Sequence, residues 1–450
     1  MKGKYLNTLI ALAVLAALWG GSTYYNRRKQ KIETVSTPAK VDKLLPLTEA
    51  QVQSFTLKPH DGAPVTCVRG EGKGAGWAIV QPEKLPADQS VINSFLSTLT
   101  SATVDQEVSA KPADLKPFGL DTPQETVEIS ASTRPEKYTL LLGDDTPTSD
   151  GVYAQLAGNP RVVTLASYLK TSLDKKLFDL RDKRAITLDT DQLKQIEVIS
   201  KTSRYTLVKN PEGVWDLVMP PPVRADHYTV DGLVSGLQNL SMRSVVLEKR
   251  ADLAKYGLTS PSLTLKLTGP SATETLTFGS KEEKGANYYA MNSSLDPVFT
   301  LDASAISQFE KQPADLRDKD LFSFSQFDAK RVDIQTPSGH RTFEMQGDKW
   351  KQTAPSAKDE PRPKMDDLLS ALRDLRAESF PKDVSLQAAG LTKPAYHFEV
   401  QFGQKKQTEV VEAAATKDHI YARRSTDTLP SELSKGALDS IDKALKSLPQ

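Results

Sequence analysis

Residues 226–240 read DHYTVDGLVSGLQNL, and the same apolar spacing returns at residues 88–102, DQSVINSFLSTLTSA, and at residues 361–375, PRPKMDDLLSALRDL. In each stretch apolar residues stand at relative offsets 0, 3, 4, 7 and 10, beginning at Ile92, Val230 and Met365. This spacing builds one face of an α-helix. Repetition of a whole apolar face indicates a packing unit present three times, because repeated units are usually maintained for their cores and surfaces.

A tryptophan and a glycine–leucine turn frame each predicted helix. The turn glycine follows the tryptophan by 42, 42 and 40 residues, in the pairs Trp77 and Gly119, Trp215 and Gly257, and Trp350 and Gly390. A leucine four residues before each glycine and another directly after it are the contact pair of a Schellman C-cap, in which the glycine has a positive φ. The near-constant spacing indicates one packed unit of about 135 residues.

Strands of alternating polarity are predicted on both sides of each helix. In the second copy the first two are Gln195–Ser200 and Tyr205–Lys209. Asp88 and Asp226 are suited to N-cap their helices, whereas Pro361 at the same place predicts a different start in the third copy. Closing helices are predicted around residues 167–180, 303–316 and 431–448. Because strands cluster on either side of a helix, the fold class is α+β.

The repeats divide the chain into modules. We predict an N-terminal membrane anchor with a basic flank at residues 1–31, a tether at 32–46, and three modules at 47–186, 187–327 and 328–450. A chain of 450 residues is too long for one hydrophobic core, and three domains of this size accommodate it.

The apolar segment near the N-terminus predicts contact with a lipid bilayer. Residues 5–25 span roughly 31 Å as a helix, at about 1.5 Å per residue, which is enough to cross a membrane. A cleavable signal peptide is the alternative, because the strictly apolar run 9–19 has the length of a signal-peptide core. Basic residues flank both sides, so the positive-inside rule gives no clear orientation. We expect an uncleaved single-pass anchor.

Charge and cysteine content exclude other classes. With 58 basic against 57 acidic residues, the chain has no general electrostatic attraction for nucleic acid. The only cysteine, Cys67, forbids an intrachain disulfide and lies far from any lipid-attachment signal.

No catalytic residue, metal ligand or cofactor is predicted. The glycine-rich loop at residues 70–76 precedes a strand and not the helix N-terminus that a phosphate-binding loop needs, so we expect a hairpin turn. No two histidines stand at metal-ligand spacing, so surface or hydrogen-bonded histidines are expected at His60, His227, His340, His397 and His419. Adjacent acids expected to be solvated are Asp144 and Asp145, Glu282 and Glu283, and Asp366 and Asp367.

Two recurring features admit both a structural and a functional interpretation. The three tryptophans are expected to pack on their helices, and the alternative is stacking on a ligand such as a sugar. The sequence Asp-Leu-Arg-Asp-Lys ends the first two modules, at Asp179–Lys183 and Asp315–Lys319. Its Arg181 and Arg317 are expected either to form a buried pair with an acid of the neighbouring module or to belong to a solvated charge run.

The membrane segment, the tryptophan strand, the Gly-Leu-x-x-Pro turn and the strand-end glycines Gly143 and Gly279 together resemble the bacterial DUF4340 family. The resemblance covers nearly all of the chain beyond residue 46. The third copy departs from it, with Ser385 and Ala389 in place of the acid and the aromatic residue. Proteins of this family tend to be encoded beside a gliding-motility-type ABC transporter and a large auxiliary subunit. The resemblance therefore implies an accessory role on the extracytoplasmic side of the bacterial inner membrane.

The leading hypothesis is a non-enzymatic scaffold whose three modules bind other envelope components, such as a transporter permease or auxiliary subunit. A binding module for envelope polymer such as glycan, using the tryptophans, is the alternative. A hydrolase whose site is assembled from unlinked residues at a module junction is a third, weaker hypothesis.

Overall fold

Three nine-stranded antiparallel sheets with the same strand order make up most of the fold. The computed structural model describes residues 42–72, 75–218, 222–283 and 285–449. The first sheet belongs to one compact unit, which ends at Lys183, and the second and third sheets belong to another, which begins at Arg184. The prediction of three repeated modules of strands and helices is confirmed, although strands predominate and the second and third modules form one unit.

The described strands and helices have the following bounds. The first sheet contains β1 Val52–Pro59, β2 Val65–Arg69, β3 Trp77–Gln81, β4 Leu85–Pro86, β5 Gln106–Ser109, β6 Glu125–Ala131, β7 Arg134–Asp145, β8 Gly151–Leu156 and β9 Val162–Ala166. The second contains β10 Gln195–Ser200, β11 Arg204–Lys209, β12 Trp215–Leu217, β13 Val223–Arg224, β14 Ser244–Leu247, β15 Leu263–Thr268, β16 Thr273–Lys281, β17 Asn287–Asn292 and β18 Val298–Asp302. The third contains β19 Ala329–Thr336, β20 Gly339–Gln346, β21 Lys349–Ala354, β22 Lys358–Glu360, β23 Ala377–Ser379, β24 Tyr396–Phe402, β25 Gln407–Ala415, β26 Ile420–Arg424 and β27 Ser431–Leu433. The α-helices are α1 Gln89–Ser101, α2 Ser167–Leu173, α3 Leu177–Leu180, α4 His227–Gln238, α5 Ser304–Phe309, α6 Arg362–Arg373 and α7 Asp439–Ser447.

The long helix of each module joins the two edges of its sheet. The first sheet has the order β4-β3-β2-β1-β6-β7-β8-β9-β5, and the other two repeat it. The strands predicted on either side of the helix form one sheet because β1 pairs with β6, for example Phe55 with Ile129. Since α1 follows β4 at one edge and precedes β5 at the other, it must cross the face of the sheet.

The predicted apolar faces build the cores. Every residue of the three helix ladders is buried except Val234, which is half-buried. Trp77, Trp215 and Trp350 expose only 6%, 7% and 1% of their surface. In the first module Phe55 stacks on Phe95 with ring centroids 4.8 Å apart and lies 5.6 Å from Trp77. The tryptophans are therefore core residues, as predicted.

All three glycine–leucine turns are Schellman caps. Gly119, Gly257 and Gly390 have φ values of 64°, 69° and 73°. The amide of the following leucine donates to the carbonyl of the leucine five residues before it, at 3.3, 3.0 and 2.8 Å in the three copies. In the first two copies the turn lies against its sheet so closely that a Cβ at Gly143 or Gly279 would stand 2.1 Å from a turn carbonyl. These strand glycines therefore permit the close contact.

Short strands and closing helices differ from the prediction. The edge strands β4, β13 and β22, and their counterparts β5, β14 and β23 at the other edge, have only two to four residues each. Such lengths are too short to show an alternating pattern. The closing helices around 167–180 and 303–316 break after Leu173 and Phe309, and Pro313 disfavours helix in the residue before it. The helix predicted around 431–448 is wrong at its start, because Ser431–Leu433 pairs with β26 and the helix begins at Asp439.

The predicted membrane segment 5–25 and most of the tether lie outside the described residues. Within the described ranges no helix is long and apolar enough to span a membrane. The last residues of the predicted tether are packed, since Leu44 and Leu45 are buried in the first core. Asp42 is held beside them by two hydrogen bonds from the Arg161 guanidinium, at 2.6 and 3.1 Å.

Candidate functional site at the junction of the second and third modules

The Asp315–Lys319 box lies where the second module meets the third within one compact unit. The segment after Leu316 pairs first with the second module, because Asp226 N donates to Leu316 O at 2.7 Å and Asp318 N donates to Arg224 O at 3.0 Å. Three residues later it pairs with the third module, where Leu321 N donates to Leu375 O at 3.0 Å. The box therefore ends a 3-10 turn at Leu316 and continues as a short connection that is hydrogen-bonded to both modules, since the Ala377 amide of the third module donates to Lys319 O at 2.7 Å.

Asp318 is the carboxylate on which two arginines converge. Arg224, on β13 of the second module, donates from Nε to Asp318 Oδ2 at 2.5 Å. Arg424, on β26 of the third module, places one guanidinium nitrogen 3.4 Å from the same oxygen. That nitrogen also donates to the carbonyls of Asp318 and Asp320, at 3.1 and 2.6 Å. One acid in the connection thus links arginines from both modules.

Glu409, on β25, provides a second acidic anchor. Its carboxylate accepts hydrogen bonds from the amides of Ser323 and Phe324, at 2.8 and 3.2 Å, and from the Ser323 hydroxyl. Arg224 also approaches Glu409, at 3.5 Å. A polar cavity of 370 Å³ adjoins this cluster and is lined by Arg224, Arg424, Glu409 and Asp427 among others.

Arg317 is buried and does not belong to a solvated charge run. It exposes 6% of its surface, and its guanidinium carbon lies 3.8 Å from the ring centroid of Phe380. Burial lowers the pKa of Arg317, and the nearby charge of Arg424 acts in the same direction while Asp427 opposes it. Arg181, the corresponding residue of the first box, is buried as well.

The cluster is suited to fixing geometry. Burial lowers the pKa of Arg424, followed by repulsion from Arg224, while Asp427, Asp318 and Glu409 favour its charged form. Removing one partner of such a buried ion pair leaves an uncompensated charge, which lowers the free energy of unfolding by about 3 to 5 kcal/mol. The arrangement therefore opposes separation of the two modules. Among the described residues, the carboxylates of Asp318 and Glu409 contact arginines and backbone amides. Such contacts are typical of a structural network.

Other sequence candidates are not brought into this site. The loop at 70–76 joins the antiparallel strands β2 and β3, as expected of a hairpin. Cys67 is buried on β2, and burial raises the pKa of its thiol to about 12. Asp145 pairs with Lys170 at 2.6 Å, and Asp366 lies 3.9 Å from Arg362.

Three of the histidines pair with an acid, as expected of surface or hydrogen-bonded histidines. His227, His340 and His419 lie 3.2, 2.8 and 2.5 Å from Asp231, Asp333 and Glu432. Strand pairing brings the last two histidines to their acids, which sequence spacing does not show. All three are more than half exposed, and the part of the chain described here holds no cluster of three metal-ligating side chains.

Sequence reasoning identified Arg317 but missed Arg224, Arg424 and Glu409. These residues lie on strands of two modules and come together only when the sheets meet. One signal was present in the sequence: the proline-rich connection after the tryptophan strand ends in Arg224, two residues before the capping Asp226.

Three copies of one sheet whose recurring residues serve packing define a tandem-repeat, β-rich protein. The model of the family described as "Domain of unknown function (DUF4340)" matches residues 77–220 and 215–394, so the chain belongs to this family. Both matches begin at a tryptophan strand and extend past the end of that module's sheet. Neither a curated protein nor a solved structure matches the chain significantly.

Proposed function

We propose that this protein is a non-enzymatic scaffold, anchored in the bacterial inner membrane through residues 5–25, whose modules bind a protein partner on the extracytoplasmic side. The partner is a membrane component of an ABC transporter or envelope complex, such as a permease or auxiliary subunit. The association with transporters is an implication of family membership and is carried here as part of the proposal.

One observation carries the scaffold proposal: the residues that recur in all three modules are packing residues. The tryptophan, the helix ladder and the Schellman glycine are repeated, and each is buried or holds a turn. The junction network adds to this, because it joins the second and third modules into a unit of fixed geometry. A protein that presents surfaces in fixed positions needs both properties.

Native purification tests the partner. A tag after Gln450 is used to isolate the chain from native membranes in mild detergent, and we expect a transporter subunit in stoichiometric amount. Tyr228 and Phe327 are 81% and 73% exposed, and replacing both with serine should reduce recovery, since exposed aromatics are common binding anchors. Val214→Ser, at a position 42% exposed, is the matched control. Recovery of envelope polymer without a protein partner would favour the polymer-binding alternative.

Membrane attachment is tested separately. The chain should stay with membranes after a carbonate wash, and deletion of residues 1–30 should release a folded protein. A reporter fused after Gln450 should be active only on the extracytoplasmic side. A mature form beginning near Thr23 would show that the segment is a signal peptide, and activity of a cytoplasmic reporter would overturn the topology.

A further inference from the structure

Four positions that are apolar or aromatic in the first two modules are polar or charged in the third. Strand register defines the equivalences, since each tryptophan strand pairs in the same way with its neighbours. The equivalent sets are Ile79, Leu217 and Gln352; Val65, Tyr205 and Arg341; Leu85, Val223 and Lys358; and Ala87, Ala225 and Glu360. Ile79 and Leu217 are core residues, and Gln352 is as deeply buried, with 2% of its surface exposed.

Arg341 contacts Gln352 and Glu360, and Lys358 is joined to this group because it and Arg341 both donate to the Pro449 carbonyl. Arg341 donates from Nε to Gln352 Oε1 at 2.7 Å and from a terminal nitrogen to the carbonyl of Leu445 at 2.9 Å. Its other terminal nitrogen lies 3.6 Å from Glu360, whose two buried oxygens accept no hydrogen bond from the described residues. Burial raises the pKa of Glu360, against the effect of Lys358 and Arg341.

The cluster is unfavourable for folding taken alone. Burial of polar and charged groups destabilises the folded state, whereas burial of apolar side chains at the same positions would stabilise it. The first two modules fold with uncharged apolar or aromatic residues at these places, where the Tyr205 hydroxyl, the only polar side-chain group among them, donates a hydrogen bond to the Phe309 carbonyl. The fold itself therefore does not require the polar set. Departures from a structural pattern of this kind are expected at functional sites.

A cavity of 670 Å³ adjoins the cluster, between the β19–β20 hairpin and α7. This volume falls in the range of about 300 to 1,000 Å³ that is usual for small-ligand sites. Apolar surface is contributed by Ile334, Ala354, Pro355 and Leu445.

The charges that line the cavity are mostly positive. The lining includes the basic residues Arg341, Lys358 and Lys446 and one acid, Asp442. Lys358 donates to the carbonyl of Pro449, and within the described residues neither Lys358 nor Lys446 forms an ion pair. Two ammonium groups beside an apolar wall are complementary to a molecule with one anionic end and an apolar body.

We propose that this cavity of the third module binds a small organic anion, with its charged group at Lys358 and Lys446 and its apolar part on Pro355 and Leu445. Carboxylates and phosphate esters share this chemistry. The site is independent of the docking role proposed above, so either proposal can fail without the other.

Calorimetric titration of the full chain with 1-naphthoate tests the site, and 1-naphthamide is the neutral probe of the same shape. We expect one saturable site for 1-naphthoate and binding of the amide weaker by about ten-fold or more, since charge-assisted contacts to the lysines are lost. The double variant Lys358→Gln/Lys446→Gln should lose a similar factor. Lys443→Gln removes a charge from an exposed position of the same helix and should bind as the wild type does.

A second variant separates loss of the site from loss of folding. Ser356→Phe places a ring in the cavity from an exposed position, and its backbone carbonyl still accepts from Gln352. It should abolish binding while the circular dichroism and thermal midpoint stay near those of the wild type. The proposal is overturned if the wild type shows no saturable binding, if the amide binds as tightly as the acid, or if the double variant binds like Lys443→Gln.

Discussion

At the scale of single residues, the Schellman glycines share one backbone conformation but differ in what surrounds them. Most L-residues other than Asn and Asp are strained at these positive φ values, by roughly 1 to 2 kcal/mol. A Cβ at Gly390 would meet only the Ala414 Cβ, at 3.1 Å, whereas one at Gly119 would meet the Asp144 carboxylate at 2.5 Å. At Gly257 it would meet the Ser280 backbone nitrogen at 2.7 Å.

These surroundings predict a graded series of alanine substitutions. Gly390→Ala should lower the free energy of unfolding least, by about 1 kcal/mol for the backbone alone. Gly119→Ala should cost somewhat more, because a flexible carboxylate must move, and Gly257→Ala should cost most, because backbone cannot move cheaply. Urea denaturation of the full chain measures the order. Equal losses at all three positions would contradict the contribution of the neighbouring atoms.

Glu125 carries a pH-dependent contribution to stability in the first module. It is 6% exposed, and one carboxylate oxygen has no hydrogen-bond partner among the described residues. Burial, followed by the negative charge of Asp174, raises its pKa from 4.5 to about 7. Leu263 and Tyr396 occupy the equivalent strand position in the other modules, so a carboxylate is not needed for the fold.

The folded state therefore holds a proton on Glu125 more tightly than the unfolded state does. Between pH 4.5 and about 7 the unfolded chain has lost this proton while the folded chain keeps it, so stability falls as pH rises. The loss reaches on the order of 3 kcal/mol above pH 7. Glu125→Gln should remove this slope and unfold at higher urea concentration than the wild type at pH 8. Parallel pH profiles for the two proteins would refute the assignment.

At the scale of elements, the helix starts separate into two kinds. Asp88 accepts from the amides of Ser90 and Val91 at 3.0 and 3.1 Å, and Asp226 accepts from the Thr229 amide at 2.8 Å. Pro361 offers no side-chain cap at the third start, as its sequence predicts. The predicted shift of this start is wrong, however, because all three helices begin twelve residues after their tryptophan, at Gln89, His227 and Arg362.

Removing a cap should destabilise the first two modules only modestly. Asp88→Ala and Asp226→Ala are each expected to cost about 1 kcal/mol, the usual value for an N-cap carboxylate. Asp88→Asn is the matched control, because an amide oxygen can still accept the same bonds. Amide hydrogen exchange in the first turns of α1 and α4 should rise in the alanine variants alone. Unchanged exchange there would show that packing, not capping, fixes these helix starts.

At the scale of the whole molecule, the second and third modules form one compact unit and Asp318 lies at their junction. Asp318→Asn removes the carboxylate shared by Arg224 and Arg424 while keeping the shape of the side chain. We expect it to lower the free energy of unfolding by about 3 kcal/mol, because buried guanidinium charge loses its partner. The unfolding of this unit should also become less cooperative.

Asp315→Asn is the control from the same box. Asp315 is exposed, so its substitution should stay within about 0.5 kcal/mol of the wild type. Differential scanning calorimetry of both variants measures the change in unfolding free energy. A loss for Asp318→Asn no larger than that for Asp315→Asn would show that the arginine network does not hold the modules together.

Local periodicity along the chain determined much of this fold. The helix ladders, the longer strands, the turn glycines and the buried tryptophans follow from spacing that each module repeats, because burial on one face of a helix or strand imposes a fixed period. Membership of the DUF4340 family followed from the same repeated residues.

Tertiary structure alone decided the features that depend on contact between distant strands. The pairing of β1 with β6 merges two meanders into one sheet, and the edge strands are too short to carry a pattern. The meeting of Arg224, Arg424 and Glu409 needs two sheets in contact, and the equivalence of Gln352 with Ile79 and Leu217 needs strand register. Sequence records neighbours along the chain, whereas charge burial and cavity shape depend on neighbours in space.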